Sequence, residues 1–439
     1  VRLPRPDFFF AEKNQLMFNR AIIQKLILCG TAFILSGAMW RFLSAGGGSD
    51  SAADGDPRTQ LFLAVLYLAV AAVALIESRS TIWTIRRTPA ILALLLLAIA
   101  SSLWAEAPDH VFRRGVALAG TCLFGIVLAA RFTMLDQLRL LRWALRLAAA
   151  LSVAIIILGH GVLMSTGGVS ARGVFNHKNR LGAAMALALL IEWYIPEQTR
   201  FLKIIRTLSL SLFAALVLYS NSMTSVVTVA VTFLIVWAFR AIYRRYKLLV
   251  PVLFPLLLVA GLLLGATGVS VGSLTGSMGR SSDLTGRTEL WGSIAAMILE
   301  RPILGYGFSG FWEGASSEAS VVENNIGWSP SYSHNGYLEI TLSLGFVGLL
   351  LFLWILRTGL RRALLYAQNP QSITDLWPLA FLVFFTIHNL AECSILWQNC
   401  LEWSLCVTTI MAADPLNRPV LDSTVAEAEA VAVPATECA

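Results

Sequence analysis

Residues 61–76 read LFLAVLYLAVAAVALI, a run without a charge, a proline or a glycine. As a helix at 1.5 Å per residue it is about 24 Å long. That approaches the hydrocarbon thickness of a bilayer, about 30 Å. Similar runs recur, and spans are expected at about 21–40, 60–77, 89–104, 115–130, 141–163, 181–195, 204–220, 223–243, 248–268, 336–357, 374–391 and 398–413. The composition agrees. Of the 439 residues, 57% are apolar and 13% charged, against about 25% charged in a soluble domain. So few charges cannot cover that much apolar surface in water. The chain therefore reads as all-α, a polytopic membrane protein with about twelve transmembrane helices.

The organisation follows from the spacing of the runs. Residues 1–268 carry transmembrane helices one to nine, and 269–335 form a large outer loop with amphipathic helices. Residues 336–413 carry the last three spans, and 414–439 are a small, acidic, disordered cytoplasmic tail. Residues 1–20 are polar and aromatic, and the apolar run after them is long enough to span. It reads as a first transmembrane helix, not a cleaved leader.

With the N-terminus inside, most of the 33 Lys and Arg fall on inner loops. Both termini are then cytoplasmic and the long loop is outside. The net charge of +7 reflects that topology, not nucleic-acid binding. All five histidines (His110, His160, His177, His334, His388) fall on the outer side or at outer helix ends, with Glu339, Glu392 and Glu402. Chemistry is expected there. The six cysteines show no CxxC and no zinc spacing, but Cys393 and Cys400 flank a short outer connection and could pair.

Three outer segments carry candidate chemistry. STGGVSARGVFNHKNRLG, residues 165–182, gathers Arg172, His177, Lys178 and Arg180 where the topological bias should leave few cations. Arg offers a planar fork for phosphate oxygens and Lys a point charge, so the cluster suits a phosphate or diphosphate. Headgroup snorkelling by Lys178 and Arg180 is the plainer alternative.

GRTELWGSIAAMILERPILGYGFSGFW, residues 286–312, predicts a helix on the outer membrane surface with its apolar face down, capped by Thr285 and stopped by Pro302. Arg287 lies in its first turn, where a cation is disfavoured. It needs an anionic partner: Asp283, Glu289 or a bound ligand. SPSYSHNGYLEITLSLGFVG, residues 329–348, places His334 just before a span, with Asn335 and Glu339 near enough in sequence to orient it. An imidazole can take a proton near neutral pH.

These pieces carry a resemblance. The RGVFNHKN run at 172–179, GRTELW at 286–291, the Pro-x-x-Gly-x-Gly at 302–307 and SHNGYLE at 333–339 occur in order. SSLWAEAPDHVFRR at 101–114 and HNLAE at 388–392 join them. Over roughly residues 60–412 the chain resembles the O-antigen ligase and polymerase superfamily of bacterial membrane glycosyltransferases. It is nearest to exopolysaccharide polymerases of the succinoglycan type.

The resemblance implies an inverting, metal-independent transfer with no cofactor, at the periplasmic face of the inner membrane. The donor would be an undecaprenyl-diphosphate-linked oligosaccharide. The acceptor would be a glycan or lipid A-core, and export or chain-length proteins are implied partners. It also implies that Arg172 and Arg287 hold the diphosphate and that His334 is the general base. His177, Lys178, Arg180, Asn335 and Trp291 would shape the substrate site. The outer aromatics (Trp291, Phe308, Phe311, Trp312, Trp328, Tyr332, Tyr337) suit sugar faces or interfacial anchoring equally.

Two other classes compete. A twelve-helix transporter would place charged sites near the midplane and often repeat its halves; no repeat is visible and the spans have almost no mid-membrane acids. A metal-dependent transferase would need carboxylates such as Glu106 and Asp109 around a divalent cation.

Overall fold

A helix that is apolar on every face must be enclosed by lipid or by other protein, and the helices of this chain divide on that choice. The computed structural model describes residues 6–38, 40–43, 56–165, 168–245, 285–312, 317–368 and 370–414. The expected ninth span at 248–268, the start of the outer loop and the tail lie outside the described residues.

The longer helices are α1 (Pro6–Leu35), α2 (Pro57–Ile76), α3 (Ser78–Arg87), α4 (Pro89–Ala100), α5 (Pro108–Arg131), α6 (Met134–Ile157) and α7 (Lys178–Trp193). They continue with α8 (Arg200–Tyr219), α9 (Met223–Arg245), α10 (Thr285–Glu300), α11 (Ser317–Ile326), α12 (Gly336–Gln368), α13 (Trp377–His388) and α14 (Leu401–Ala412). The protein is predominantly helical. Among the described residues six helices, α2, α5, α6, α8, α9 and α12, are long and apolar enough to cross a membrane. Their outward residues, such as Leu68 and Leu75 on α2 and Trp354 on α12, are exposed as lipid-facing side chains would be.

Several expected spans take another form. The one at 89–104 is the apolar arm of a pair, α3 and the helix from Pro89 to Leu103, bent by 87° at Thr88. Pro89 supplies the break, since it cannot continue the preceding helix. Those at 181–195, 374–391 and 398–413 become α7, α13 and α14, of 16, 12 and 12 residues. At 1.5 Å per residue the two shorter ones reach only about 18 Å. They are enclosed by protein: every residue of α14 is buried.

Small and hydroxylated residues let these helices approach closely. A Cβ on Gly125 of α5 would lie 2.5 Å from the Ser404 carbonyl oxygen. Across that contact Thr408 Oγ1 donates to the Gly125 carbonyl at 3.0 Å, and Ser404 Oγ to that of Thr121 at 3.2 Å.

One helix is opened on purpose. Gly345 breaks α12 with φ 64° and ψ −169°, and the Pro302–Gly307 loop fills the break. Tyr306 and Gly307 donate their N–H groups to the Leu342 and Ser343 carbonyls at 3.0 and 2.9 Å. Phe346 and Val347 donate to the Pro302 and Ile303 carbonyls at 2.8 and 3.3 Å. Backbone groups freed inside an apolar slab must find partners, and here a loop supplies all four. A Cβ on Gly345 would lie 2.0 Å from the Ile303 carbonyl oxygen, and one on Gly305 would lie 2.5 Å from that of Leu342. The GYG run thus serves backbone docking, not nucleotide binding. Residues 101–114 grip the same loop: Trp104 Nε1 donates to the Leu304 carbonyl, Ser101 Oγ accepts from Phe308 N–H, and Arg114 donates to Ser309 Oγ at 2.6 Å.

The segment from α10 to the start of α12 builds its own small core. Leu290, Ile294, Met297 and Ile298 of α10 pack against Tyr306, Phe311, Val322 of α11 and Leu342 of α12. Its apolar face is therefore turned onto protein, not down into the membrane surface. Pro302 does stop α10, which ends at Glu300. A two-stranded antiparallel hairpin, β1 (Val162–Ser165) and β2 (Gly168–Ala171), interrupts the otherwise helical chain. Strands this short leave no periodicity to read. Cys393 and Cys400 are free: Cys393 Sγ lies 3.5 Å from Ser333 Oγ, and Cys400 Sγ donates to Glu402 at 3.0 Å.

Candidate active site

The β1–β2 hairpin returns the chain to the head of α7, and its exit carries the basic segment. Arg172 donates its backbone N–H to the Gly161 carbonyl at 2.9 Å. Gly173 is buried with φ 55°, and a Cβ there would lie 2.5 Å from Ser152, so the turn must be glycine. His177 caps α7: its Nδ1 accepts from the Asn179 N–H at 3.2 Å. Lys178 and Arg180 then occupy the first turn, where the helix dipole disfavours cations. Arg287 has the same position at the head of α10. Two helix N-termini, each already positive, carry added cations. That arrangement is favourable when an anion lies between them.

Among the described residues, which leave out Asp283, the acid that Arg287 meets is not Glu289. It is Glu392, at 3.6 Å, in the turn after α13. Glu392 is buried and also accepts from Asn179 Nδ2 at 2.9 Å. It links the heads of α7 and α10 through residues over a hundred positions away from each partner. The HNLAE turn is held by the fully buried Asn389, whose Oδ1 accepts from the Ser394 and Ile395 N–H groups.

His334 sits between these charges. Its backbone is left-handed, φ 52°, uncommon for a residue other than glycine. The loop around it is tied on several sides. Glu339 accepts from the Ser333 N–H at 2.8 Å and from Trp312 Nε1 at 3.0 Å. Trp291 Nε1 donates to the Ser333 carbonyl at 2.9 Å. Asn335 Oδ1 caps α12 through the Tyr337 and Leu338 N–H groups, and its Nδ2 donates to the Leu390 carbonyl. Gly336 cannot be larger, since a Cβ would lie 2.3 Å from Asn389 Oδ1. Asn335, Glu339 and Trp291 therefore hold the loop that presents His334 and do not touch its imidazole. Asn335 and Trp291 were expected to touch substrate; their polar groups are used by the fold.

The His334 ring packs against Tyr332, centroids 4.1 Å apart, with Trp328 at 6.3 Å. Its Nδ1 is buried and has no hydrogen-bond partner among the described residues. Burial pulls its pKa down to about 4; Glu392 opposes that shift, and Arg287, His177 and Arg180 add to it. At neutral pH the imidazole is uncharged. The other outer aromatics mostly serve packing: Phe308 and Phe311 are buried, and Tyr337 donates to the Thr386 carbonyl at 3.1 Å.

Two cavities flank this centre and share Arg180. The first, ≈ 340 Å³, is lined by His177, Asn179, Arg180, Tyr332, His388 and Glu392. His388 lines it with a buried Nε2 that has no partner among the described residues. The second, ≈ 430 Å³, lies on the side of Arg180 towards the end of α1. Of the sequence-expected residues, His177 and Arg180 line the first cavity, Arg287 meets its wall at Glu392, and His334 packs on its wall at Tyr332. Lys178 adjoins them at the head of α7, and Arg172 lies in the turn leading to it. Glu392 was visible in the sequence only as an outer acid. Its signal, an HNLAE turn beside apolar α13, does not name its partners. Glu106, one of the two carboxylates that the rival metal-dependent reading would need, meets the Arg301 guanidinium at 3.6 Å.

Comparison with known proteins adds to this geometry. The O-antigen ligase family matches residues 208–353, which include Arg287 and His334. The exopolysaccharide production protein ExoQ of Rhizobium meliloti (strain 1021) is 27% identical over 308 residues, 64% of this chain and 68% of that protein. A putative polysaccharide ligase of Rickettsia conorii (strain ATCC VR-613 / Malish 7) is 35% identical over 79 residues, 17% of this chain and 19% of that protein. One from Rickettsia felis (strain ATCC VR-1525 / URRWXCal2) is 37% identical over a stretch of the same length. The resemblance read from the motifs is borne out, and these similarities indicate a membrane enzyme of glycosyltransferase type.

Proposed function

We propose that this protein polymerises exopolysaccharide or O-antigen repeat units at the periplasmic face of a bacterial inner membrane. It transfers an undecaprenyl-diphosphate-linked glycan to an acceptor sugar hydroxyl. The observation that carries this reading is the meeting of two cation-bearing helix N-termini, α7 and α10, beside a half-buried neutral histidine. The cations suit a diphosphate leaving group and the histidine a hydroxyl proton.

In the proposed reaction the acceptor oxygen attacks the anomeric carbon from the face opposite the diphosphate, so configuration inverts. His334 takes the hydroxyl proton. The glycosidic C–O bond breaks, its electron pair passes to the diphosphate oxygen, and Arg287, Arg180 and Arg172 stabilise the charge that develops there. The guanidinium set supplies positive charge without a metal. The bound diphosphate offsets the cations that depress the His334 pKa and adds negative charge beside it. The base is thereby strengthened only when the donor is present.

The test is turnover by the purified chain given a lipid-diphosphate-linked repeat unit, with chelator and without ATP. Lengthening of the lipid-linked glycan supports the polymerase. Arg287→Lys, which keeps the charge and loses the two-pronged fork, is expected to raise the donor KM about tenfold. A second reading, transfer to lipid A-core, is favoured by the match to the O-antigen ligase family. Elongation absent with repeat units but transfer seen to lipid A-core would select it. Uptake in sealed vesicles with no new glycosidic bond would select a transporter.

A further inference from the structure

The ≈ 430 Å³ cavity on the far side of Arg180 is unlike the first in its chemistry. Its walls include Trp40, Trp397, Asn176, Gln398, Asn399 and Glu402. Glu402 is 5% exposed, and its hydrogen bond among the described residues is the one from the Cys400 thiol. A buried carboxylate is costly unless strong donors reach it, and a thiol is a weak donor. One wall is the end of α1, where Leu35, Ser36 and Gly37 line the space. A helix C-terminus is the negative end of the dipole and offers carbonyl acceptors.

The wall is also rigid. Asn399 has left-handed φ, 57°. It is pinned by Tyr67, whose hydroxyl donates to its Oδ1 at 2.7 Å, and by Thr121 Oγ1, which accepts from its N–H at 2.8 Å. Trp397 is held edge-on by Tyr332, with the Arg180 guanidinium 5.7 Å from its ring centroid.

Charge separates the occupants of the two cavities. Around the first, Arg180 and His177 stand with Arg287 against the single carboxylate Glu392. In the second, Glu402 and a helix C-terminus offset Arg180. An anion would meet a carboxylate and the wrong end of a dipole. A hydroxyl-rich neutral ring would give the buried Glu402 carboxylate stronger donors than the Cys400 thiol, and the indole faces of Trp40 and Trp397 suit its C–H side. We propose that this second cavity is a subsite for a neutral sugar ring of the glycan substrate, adjoining the diphosphate site through Arg180. The proposal rests on the glycosyl-transfer reading but is tested by binding, apart from turnover.

Two probes are offered to the purified full chain: the repeat-unit oligosaccharide released without lipid or phosphate, and inorganic pyrophosphate. The wild type is expected to bind both. Glu402→Gln, which is isosteric, and Gln398→Ala are expected to weaken oligosaccharide binding at least tenfold, leaving pyrophosphate affinity and Tm unchanged. Arg287→Ala is expected to do the reverse, losing pyrophosphate and keeping the oligosaccharide. Unchanged oligosaccharide binding in both cavity variants overturns the subsite, as does no oligosaccharide binding by a wild type that turns over. Pyrophosphate affinity lost with Glu402→Gln or Gln398→Ala would make the cavity part of the phosphate site instead. Failure of the wild type to elongate any lipid-linked repeat unit would count against the glycosyl-transfer reading itself and is read in a separate assay.

Discussion

Helix α7 carries a charged cluster at each end, about 21 Å apart along its axis, and the two are built on different rules. At its C-terminal end Arg146 makes a two-pronged contact with Glu192, at 2.6 and 3.2 Å, while Arg142 meets Glu197 and lies 3.7 Å from Glu192. Guanidiniums and carboxylates match in number, and the cluster ties α6 to the end of α7. At the N-terminal end Arg180 and His177 line a space with the carboxylate Glu392, which Arg287 meets at 3.6 Å, and Lys178 and Arg172 lie beside them in the chain. Charges that hold a fold together come in balanced sets, because burial penalises any remainder. Charges that await a ligand leave a remainder, and its sign describes the ligand.

The sharpest way to break this contrast is to remove one group from each end and ask which property falls. His334→Ala at the N-terminal end is expected to reduce kcat by about 10²–10⁴-fold, the usual contribution of a general base, with thermal unfolding in detergent unchanged. An equal loss of stability would make His334 a structural histidine and undo the assignment.

Glu192→Ala at the other end is expected to act on stability instead. It would leave two largely buried guanidiniums sharing Glu197 alone. Breaking a buried pair from one side costs about 3–5 kcal/mol. A lowered Tm with turnover per folded molecule retained is the expected result. A variant as stable as wild type would show that the cluster is not what closes this end of the bundle.

The same contrast sets the pH behaviour. In the proposed reaction His334 works as a base only while uncharged, so activity is expected to fall as pH drops through its pKa. In the free enzyme that pKa is about 4, and the acid limb of kcat/KM reports it. A bound diphosphate raises it, so the acid limb of kcat is expected at higher pH than that of kcat/KM. Coincident limbs near the unperturbed imidazole value of about 6.5 would mean that neither burial nor the neighbouring cations act on His334.

How much of this was legible in the sequence depends on whether a residue declares itself alone or only through a distant partner. His334, Arg287, His177 and Arg180 declared themselves, as cations and an imidazole on a side where topology leaves few. Glu392 did not, since an acid on an outer turn is unremarkable until Arg287 and Asn179 fold onto it. Asn335 and Trp291 were read for their chemistry, while their hydrogen bonds serve the His334 loop. The expected spans at 181–195, 374–391 and 398–413 came from hydropathy, which registers an apolar helix but not whether lipid or protein covers it. Enclosure in α7, α13 and α14 removes the need for bilayer length. Gly345 gave no warning of the break in α12, because only the Ile303 carbonyl pressed against it explains why no side chain fits.

Glu392→Gln is the finest test of the surplus, because it is expected to tighten donor binding while slowing turnover. The amide keeps the shape of the carboxylate and removes its charge. Arg287 then faces the donor without an internal competitor, and the KM for the lipid-diphosphate donor is expected to fall a few-fold. Glu392 also supports protonation of His334 against the surrounding cations. Without it the imidazole is a weaker base, so kcat is expected to fall and the acid limb of kcat/KM to move to lower pH. A carboxylate that merely braced the turn after α13 would, when neutralised, raise KM, lower Tm and leave the pH limb in place. If that pattern appears, Glu392 belongs with the balanced charges at the other end of α7, and the anion site owes its shape to Arg287 and Arg180 alone.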